Sequence, residues 1–127
     1  MRKEAEAWLR ISAEDLQSAE VLSDRKLFRP ACYHAQQAVE KTLKALLIER
    51  NVEIPRTHNL LDLNNAVKKL GYAVALTDED AVFLSSIYRA RYPSDAGLLP
   101  LGEPIEQDAA RALKIAWEIA AWMKKQV

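Results

Sequence analysis

The segment from residue 31 to residue 47 constrains the fold more than any other part of the chain. It has the 3.6-residue periodicity of a long α-helix with an apolar stripe along one side. The stripe consists of Cys32, Ala35, Val39, Leu43 and Leu46. Small side chains beside it would let a neighbouring helix approach closely, and they are Ala31, Ala35, Ala38 and Ala45. The segment therefore predicts a helix whose apolar side belongs to a core.

The opposite side of this predicted helix is polar and chemically varied. At 100° per residue, an arc of roughly 120° holds six polar side chains. They are Tyr33, His34, Gln37, Glu40, Lys41 and Lys44. One interpretation is a solvated surface, and the other is half of a binding or contact surface. The residues themselves leave both interpretations open.

Length, charge and cysteine content restrict the class of protein. The 127 residues suit one domain, 1–127, and such a chain buries about two-thirds of its unfolded surface. Lys plus Arg and Asp plus Glu both total 18, so net charge predicts no general attraction to nucleic acid or acidic lipid. The single cysteine, Cys32, excludes an intrachain disulfide and suits a reducing compartment. With no secretory signal and no run of ~18 apolar residues, we expect a cytoplasmic protein without membrane contact.

The whole chain predicts five helices, of which the segment described above belongs to the second, and no strand. We expect a first helix over residues 4–23, and a second from Pro30 to about Arg50, since proline suits the first helical position. A third follows a Thr57 or Asn59 cap and stops at Gly71. The fourth begins near Thr77 and runs to about Arg91, and the last runs from near Pro104 to the C-terminus. Three prolines and two glycines predict a loop over residues 91–104.

The last predicted helix is apolar over an unusually wide arc. One stripe consists of Ile105, Ala109, Leu113, Ala116, Ala120 and Met123, and a second of Ala112, Ile115, Ile119 and Trp122. Such a helix has more to bury than one partner surface covers, so it is either central in the bundle or part of a subunit interface. The predicted architecture is an all-α bundle of about five helices.

Few residues suit metal binding or nucleophilic catalysis. The two histidines, His34 and His58, lie on different elements, so no close zinc-type ligand spacing exists and we expect no metal. Cys32 lies on an apolar stripe, where a thiol is inert. The three glycines are scattered at 71, 97 and 102 and form no phosphate loop. We expect no cofactor.

Arg29 and His34 are the weak candidates for catalysis. An imidazole can move protons and a guanidinium can stabilise phosphorane charge, so such a pair can cleave RNA. Five residues of helix place the two side chains about 140° apart, and Arg29 precedes the predicted helix. We therefore favour a helix-entry arginine and a surface histidine, although dimer symmetry would be able to bring them together.

Two further groups have open alternatives. His58, with Arg56 beside it, precedes a helix N-terminus, where it either helps to bind a phosphate or hydrogen-bonds locally to order the loop. The end of the fourth predicted helix holds Arg89, Arg91, Tyr92 and Asp95. These either hold a nucleotide, or Arg91 pairs with Asp95 while Tyr92 packs in the core.

Three motifs in order carry a family resemblance across nearly the whole chain. They are Ala35-x-x-Ala38-x-Glu40-Lys41-x-Leu43-Lys44-Ala45-Leu46-Leu47, Thr57-His58-Asn59-Leu60 and Arg91-Tyr92-Pro93-x-Asp95. The chain resembles the HEPN family, the higher eukaryotes and prokaryotes nucleotide-binding domains, in its small prokaryotic type. The resemblance implies an up-and-down helical bundle that forms homodimers. It also implies a minimal nucleotidyltransferase encoded nearby, in a toxin–antitoxin-like pair, and in some members nucleotide binding.

Other branches of that family are metal-independent ribonucleases with an Arg-x4–6-His motif in a late helix. This sequence has no histidine after His58, so its late helices do not supply that motif. We therefore favour a binding module over an enzyme. The binding residues expected for a nucleotide or partner are Gln37, Glu40, Lys41, Lys44, His58, Arg91, Tyr92 and Asp95. The alternatives are an RNA endonuclease, with Arg29 and His34 or His58 and Arg91, and a purely structural dimer.

Overall fold

The described residues form five α-helices and contain no strand. The computed structural model describes residues 1–89 and 103–126, except the side chains of Tyr88 and Arg89. The helices are α1 (Lys3–Asp24), α2 (Phe28–Glu49), α3 (Leu60–Lys68), α4 (Asp78–Arg89) and α5 (Glu106–Lys124). The predicted all-α fold of about five helices is confirmed. No helix in the described part of the chain is long and apolar enough to span a membrane.

Local signals explain four of the helix ends. Asn59 caps α3, because its side chain accepts a hydrogen bond from the Leu61 N–H at 2.9 Å. Thr77 accepts one from the Asp80 N–H at the start of α4. Asn51 follows α2 with a φ of 54°, and Gly71 follows α3 with a φ of 96°. Both residue types tolerate this left-handed conformation at the end of a helix.

Two predicted starts shift by two residues. The second helix begins at Phe28, so Pro30 is its third residue and still lies within the first turn, where no backbone donor is needed. The last begins at Glu106 with Ile105 as its cap residue, and the Asp108 carboxylate accepts a hydrogen bond from the Ile105 N–H at 2.9 Å. The loop predicted over residues 91–104 lies largely outside the described residues.

The central element is α2, which packs against each of the other four helices. It runs antiparallel to α1, because Arg2 contacts Glu49 while Ser12 contacts Thr42. The largest buried side chains come from several helices and meet around α2. They include Val39, Leu43, Leu46, Leu47, Leu60, Leu63, Val67, Leu84 and Ile119.

The apolar side chains of α5 are covered mainly within the chain. Both predicted stripes are largely buried, because α5 packs against α2 and α1. Ile105, which caps the helix, is the exposed member of the first stripe at 51 %. Trp117 lies outside both stripes and is 48 % exposed, and its indole N–H donates to Glu20 at 2.6 Å. Packing inside the bundle is therefore enough to explain the wide apolar arc.

Candidate functional site

The polar arc of α2 is not a solvated surface. Glu40 is only 3 % exposed and Gln37 only 8 %, although both belong to the arc predicted from the sequence. A buried carboxylate is costly unless it is paired and hydrogen-bonded, so the partners of these side chains decide what the arc does. They divide the arc into two clusters.

The first, the Glu40 cluster, consists of Gln36, Gln37, Glu40, Lys44 and His58. Oε2 of Glu40 accepts from the Lys44 ammonium at 3.0 Å. Oε1 accepts from the Gln36 amide at 3.2 Å, and it lies 3.2 Å from Nδ1 of His58. The Gln36 carbonyl in turn accepts from the Gln37 amide at 2.7 Å. The helix spacing of four residues and the loop before α3 together bring these groups to one carboxylate.

The members of this cluster differ in how much of each side chain is exposed to solvent. His58 is the most open, with 58 % of its side chain exposed. Lys44 is mostly covered, and its ammonium also lies 5.7 Å from the ring centroid of Trp8 on α1. Glu40 therefore holds two cation-forming side chains, one from the helix and one from the loop, in a fixed relation. An anionic group of a ligand is the chemistry that such side chains recognise.

The second, the Asp15 cluster, joins α1 to α2. Oδ1 of Asp15 lies 2.8 Å from Nδ1 of His34, and Oδ2 accepts from the Lys41 ammonium at 2.5 Å. Because an ionised carboxylate only accepts, Nδ1 of His34 carries the proton in this contact. Asp15 is buried, and its carboxylate is satisfied by the Lys41 ammonium and by the imidazole of His34. Below it, Ser12 donates to the Ala38 carbonyl at 2.6 Å, which ties the same two helices together.

Arg29 and His34 are directed to different partners. Arg29 lies in the first turn of α2 and forms an ion pair with Glu103, just before α5. His34 bonds to Asp15 on α1 and packs edge-on against Tyr33, with ring centroids 5.2 Å apart. The contacts within this chain therefore do not bring the guanidinium and the imidazole together.

Cys32 is buried in the core, and burial raises the pKa of its thiol to about 12, with a further contribution from the charge of Asp108. A thiol with that pKa is not a nucleophile at neutral pH. Within residues 1–89 and 103–126, no three His, Cys, Asp or Glu side chains are grouped as they would be to hold a metal ion.

Several of the expected site residues lie in one cluster, and three others lie outside the residues that the structure describes. The structure places Gln37, Glu40, Lys44 and His58 in one cluster, while Lys41 belongs to the Asp15 cluster. The remaining three lie outside the described residues, and they are Arg91, Tyr92 and Asp95.

Sequence reasoning missed Trp8, Asp15 and Gln36. A signal for Asp15 existed, because it continues a helical stripe with steps of three and four residues. That stripe consists of Ala5, Trp8, Ser12, Asp15, Ala19 and Leu22. Polar residues inside a core-facing stripe indicate partners on the facing helix.

Comparison with known proteins gives one family and several relatives. The model of the HEPN domain family matches residues 5–126. A protein named "Putative toxin MJ0605" from Methanocaldococcus jannaschii is 36 % identical over 58 residues. That match spans 46 % of this chain and 42 % of the relative, so less than half of the relative's length is represented.

Two solved structures have the same fold. TT1696 from Thermus thermophilus superimposes with a TM-score of 0.79 and 26 % identity, covering 99 % of this chain and 100 % of that one. ST0689, an archaeal HEPN homologue, gives a TM-score of 0.72 and 26 % identity, with coverage of 99 % and 98 %. The likeness extends over the whole bundle.

Proposed function

This chain belongs to the HEPN domain family, and from that premise we propose that it is a binding module and not an enzyme. Its ligand is a nucleotide, a minimal nucleotidyltransferase partner, or both, within a toxin–antitoxin-like pair. The module acts as a homodimer. The proposed site consists of Gln37, Glu40, Lys44 and His58, with Lys41 on the same helix and Arg91, Tyr92 and Asp95 as the expected contribution of the later segment.

The Glu40 cluster is the observation that carries this proposal. A carboxylate only 3 % exposed is retained in the bundle, and its oxygens hold Lys44 and His58. Replacing such a cluster by apolar residues is often neutral or stabilising for a fold, so stability alone gives little reason for it. Fixed cation-forming side chains suit the phosphates of a nucleotide or an acidic surface of a partner protein.

The similarity to the protein named "Putative toxin MJ0605" supports the pairing part of the proposal. The contacts of Arg29 and His34 give no support to the alternative of an RNA endonuclease, because each side chain is engaged by a different carboxylate. We therefore expect RNA to remain intact when it is incubated with the purified chain in EDTA.

Calorimetry with ATP, GTP, CTP and UTP tests the nucleotide arm. We expect at least one to bind, and Lys44→Ala to weaken that binding by about 10- to 150-fold, since a charge-assisted hydrogen bond contributes about 1.5–3 kcal/mol. Lys114→Ala is the matched control, because Lys114 is an exposed lysine of α5, a helix that supplies no member of the Glu40 cluster. Circular dichroism checks that both variants remain folded.

The partner arm uses the minimal nucleotidyltransferase expected beside this chain in the genome. We expect the two proteins to elute together in size-exclusion chromatography. Arg91→Ala should lower the fraction of protein that elutes as the complex. If no nucleotide gives heat and Arg91→Ala leaves partner binding unchanged, both versions of the proposed function are wrong.

A further inference from the structure

The contact between Lys44 and Trp8 extends the Glu40 cluster onto α1. The Lys44 ammonium is shared between a carboxylate oxygen of Glu40 at 3.0 Å and the ring of Trp8 at 5.7 Å from its centroid. The second distance lies within the range of a cation–π interaction. Trp8 is partly exposed, so part of its indole surface is open to solvent.

The contacts of Glu40 indicate that it positions Lys44 and His58. Its two oxygens already have partners in Gln36, Lys44 and His58, and its side chain is almost completely covered. A ligand therefore meets the groups that Glu40 holds and not the carboxylate itself. The lysine lies over one face of the indole, so a ligand would stack on the opposite face with the positive charge close by.

An aromatic surface next to a cation matches the two halves of a nucleotide. Bases of every kind stack on aromatic rings, and the phosphates are anions that ammonium groups bind. We propose that Trp8 is the base-contacting side chain of the nucleotide site, with the Lys44 ammonium beside it for the phosphates. This inference rests on the proposed nucleotide binding. It adds that the site recognises the base of the nucleotide as well as its phosphates.

The other two tryptophans provide controls. Trp117 is more open than Trp8 is, at 48 % exposed, and bonds to Glu20 on the α1–α5 side of the bundle. Trp122 packs edge-on against Tyr72, with ring centroids 6.2 Å apart. A nucleotide that stacks non-specifically on exposed indole would prefer Trp117, so the two sites are distinguishable.

The test compares a nucleotide with inorganic tripolyphosphate, which has no base. The nucleotide used is the one of ATP, GTP, CTP and UTP that the chain binds most tightly. We expect Trp8→Leu to weaken its binding by about 5- to 150-fold, the fold-change that corresponds to base stacking on an aromatic side chain. Binding of tripolyphosphate should stay unchanged in Trp8→Leu and decrease in Lys44→Ala. Trp117→Leu should bind both ligands as the unmodified chain does.

The outcomes separate this inference from the proposed function. If the chain binds a nucleotide and Trp8→Leu binds it equally well, Trp8 is not the base contact and the proposed function stands. If Trp8→Leu weakens tripolyphosphate as much as the nucleotide, the base is not what Trp8 recognises. If no nucleotide binds to the unmodified chain, this inference and the nucleotide arm of the proposed function are both wrong, while the partner arm is decided by the Arg91→Ala experiment.

A fluorescence experiment keeps the inference testable if Trp8→Leu does not fold. The double variant Trp117→Phe/Trp122→Phe retains Trp8 as its single tryptophan. Saturating nucleotide should quench its emission by stacking, whereas tripolyphosphate should not. Calorimetric binding without any quenching would overturn the inference.

Discussion

Replacing Asp15 by alanine is expected to destabilise the bundle through the two side chains that lose their partner. Asp15 is buried, and its oxygens bond to His34 at 2.8 Å and Lys41 at 2.5 Å. Hydrogen bonds to charged groups contribute about 1.5–3 kcal/mol each, so the upper limit for this pair is about 3–6 kcal/mol.

Solvent reduces that figure. The side chains of His34 and Lys41 are 31 % and 20 % exposed, so water replaces part of what they lose. Alanine is also a better helix former than aspartate, which returns about 0.5 kcal/mol. We therefore expect Asp15→Ala to lower the free energy of unfolding by about 2 kcal/mol. With a urea m-value of about 2 kcal/mol/M, the unfolding midpoint should fall by about 1 M.

Urea denaturation followed by circular dichroism measures this change. The matched control is Asp24→Ala, because Asp24 is an exposed aspartate at the end of the same helix and its loss should change stability by less than about 0.5 kcal/mol. A double-mutant cycle with Lys41→Ala should give a coupling energy of about 1 kcal/mol or more. Equal midpoints for the Asp15 and Asp24 variants would refute the argument that the Asp15 cluster joins α1 to α2.

Three further measurements test other parts of the structure and the proposed dimer. Because burial raises the pKa of Cys32 from 9.0 to about 12, the folded state retains this proton better than the unfolded chain does, so stability should decrease as pH rises from about 9 towards 12. Denaturation midpoints measured against pH should show this, and an equal decrease in Cys32→Ser would contradict it. Gly71→Ala should cost about 1 kcal/mol in thermal unfolding, because φ is 96° there while no atom lies within 4 Å of an added Cβ. An unchanged melting temperature would reject the backbone explanation. Light scattering at tens of micromolar should give the mass of a dimer, and a strict monomer would contradict the proposed homodimer.

The helices followed from the sequence because their signals are local. The apolar stripe of α2, the Asn59 cap and the left-handed residues Asn51 and Gly71 each depend on neighbours a few positions away. The start of α2 was predicted two residues late, because Pro30 is compatible with the whole first turn and does not mark its first residue.

The candidate site was predictable in its types of residue but not in its arrangement. The sequence indicates Glu40, Lys44 and His58, because a polar arc and a loop motif contain them. Periodicity assigns every member of that arc to the same side of a helix, so it did not separate Lys41 from Lys44. The two lysines differ in the α1 residue that each one meets. Lys41 bonds to Asp15, whereas Lys44 contacts Trp8, two turns earlier on the same helix.

The sequence by itself determined that the chain is an all-α bundle built around α2. Tertiary structure alone decided that Glu40 is buried, that His58 reaches it from 18 residues away, and that Asp15 meets Lys41 from 26 residues away. The physical reason is that helix formation depends on contacts three and four residues apart, whereas the burial and pairing of a charge depend on which distant segments cover it.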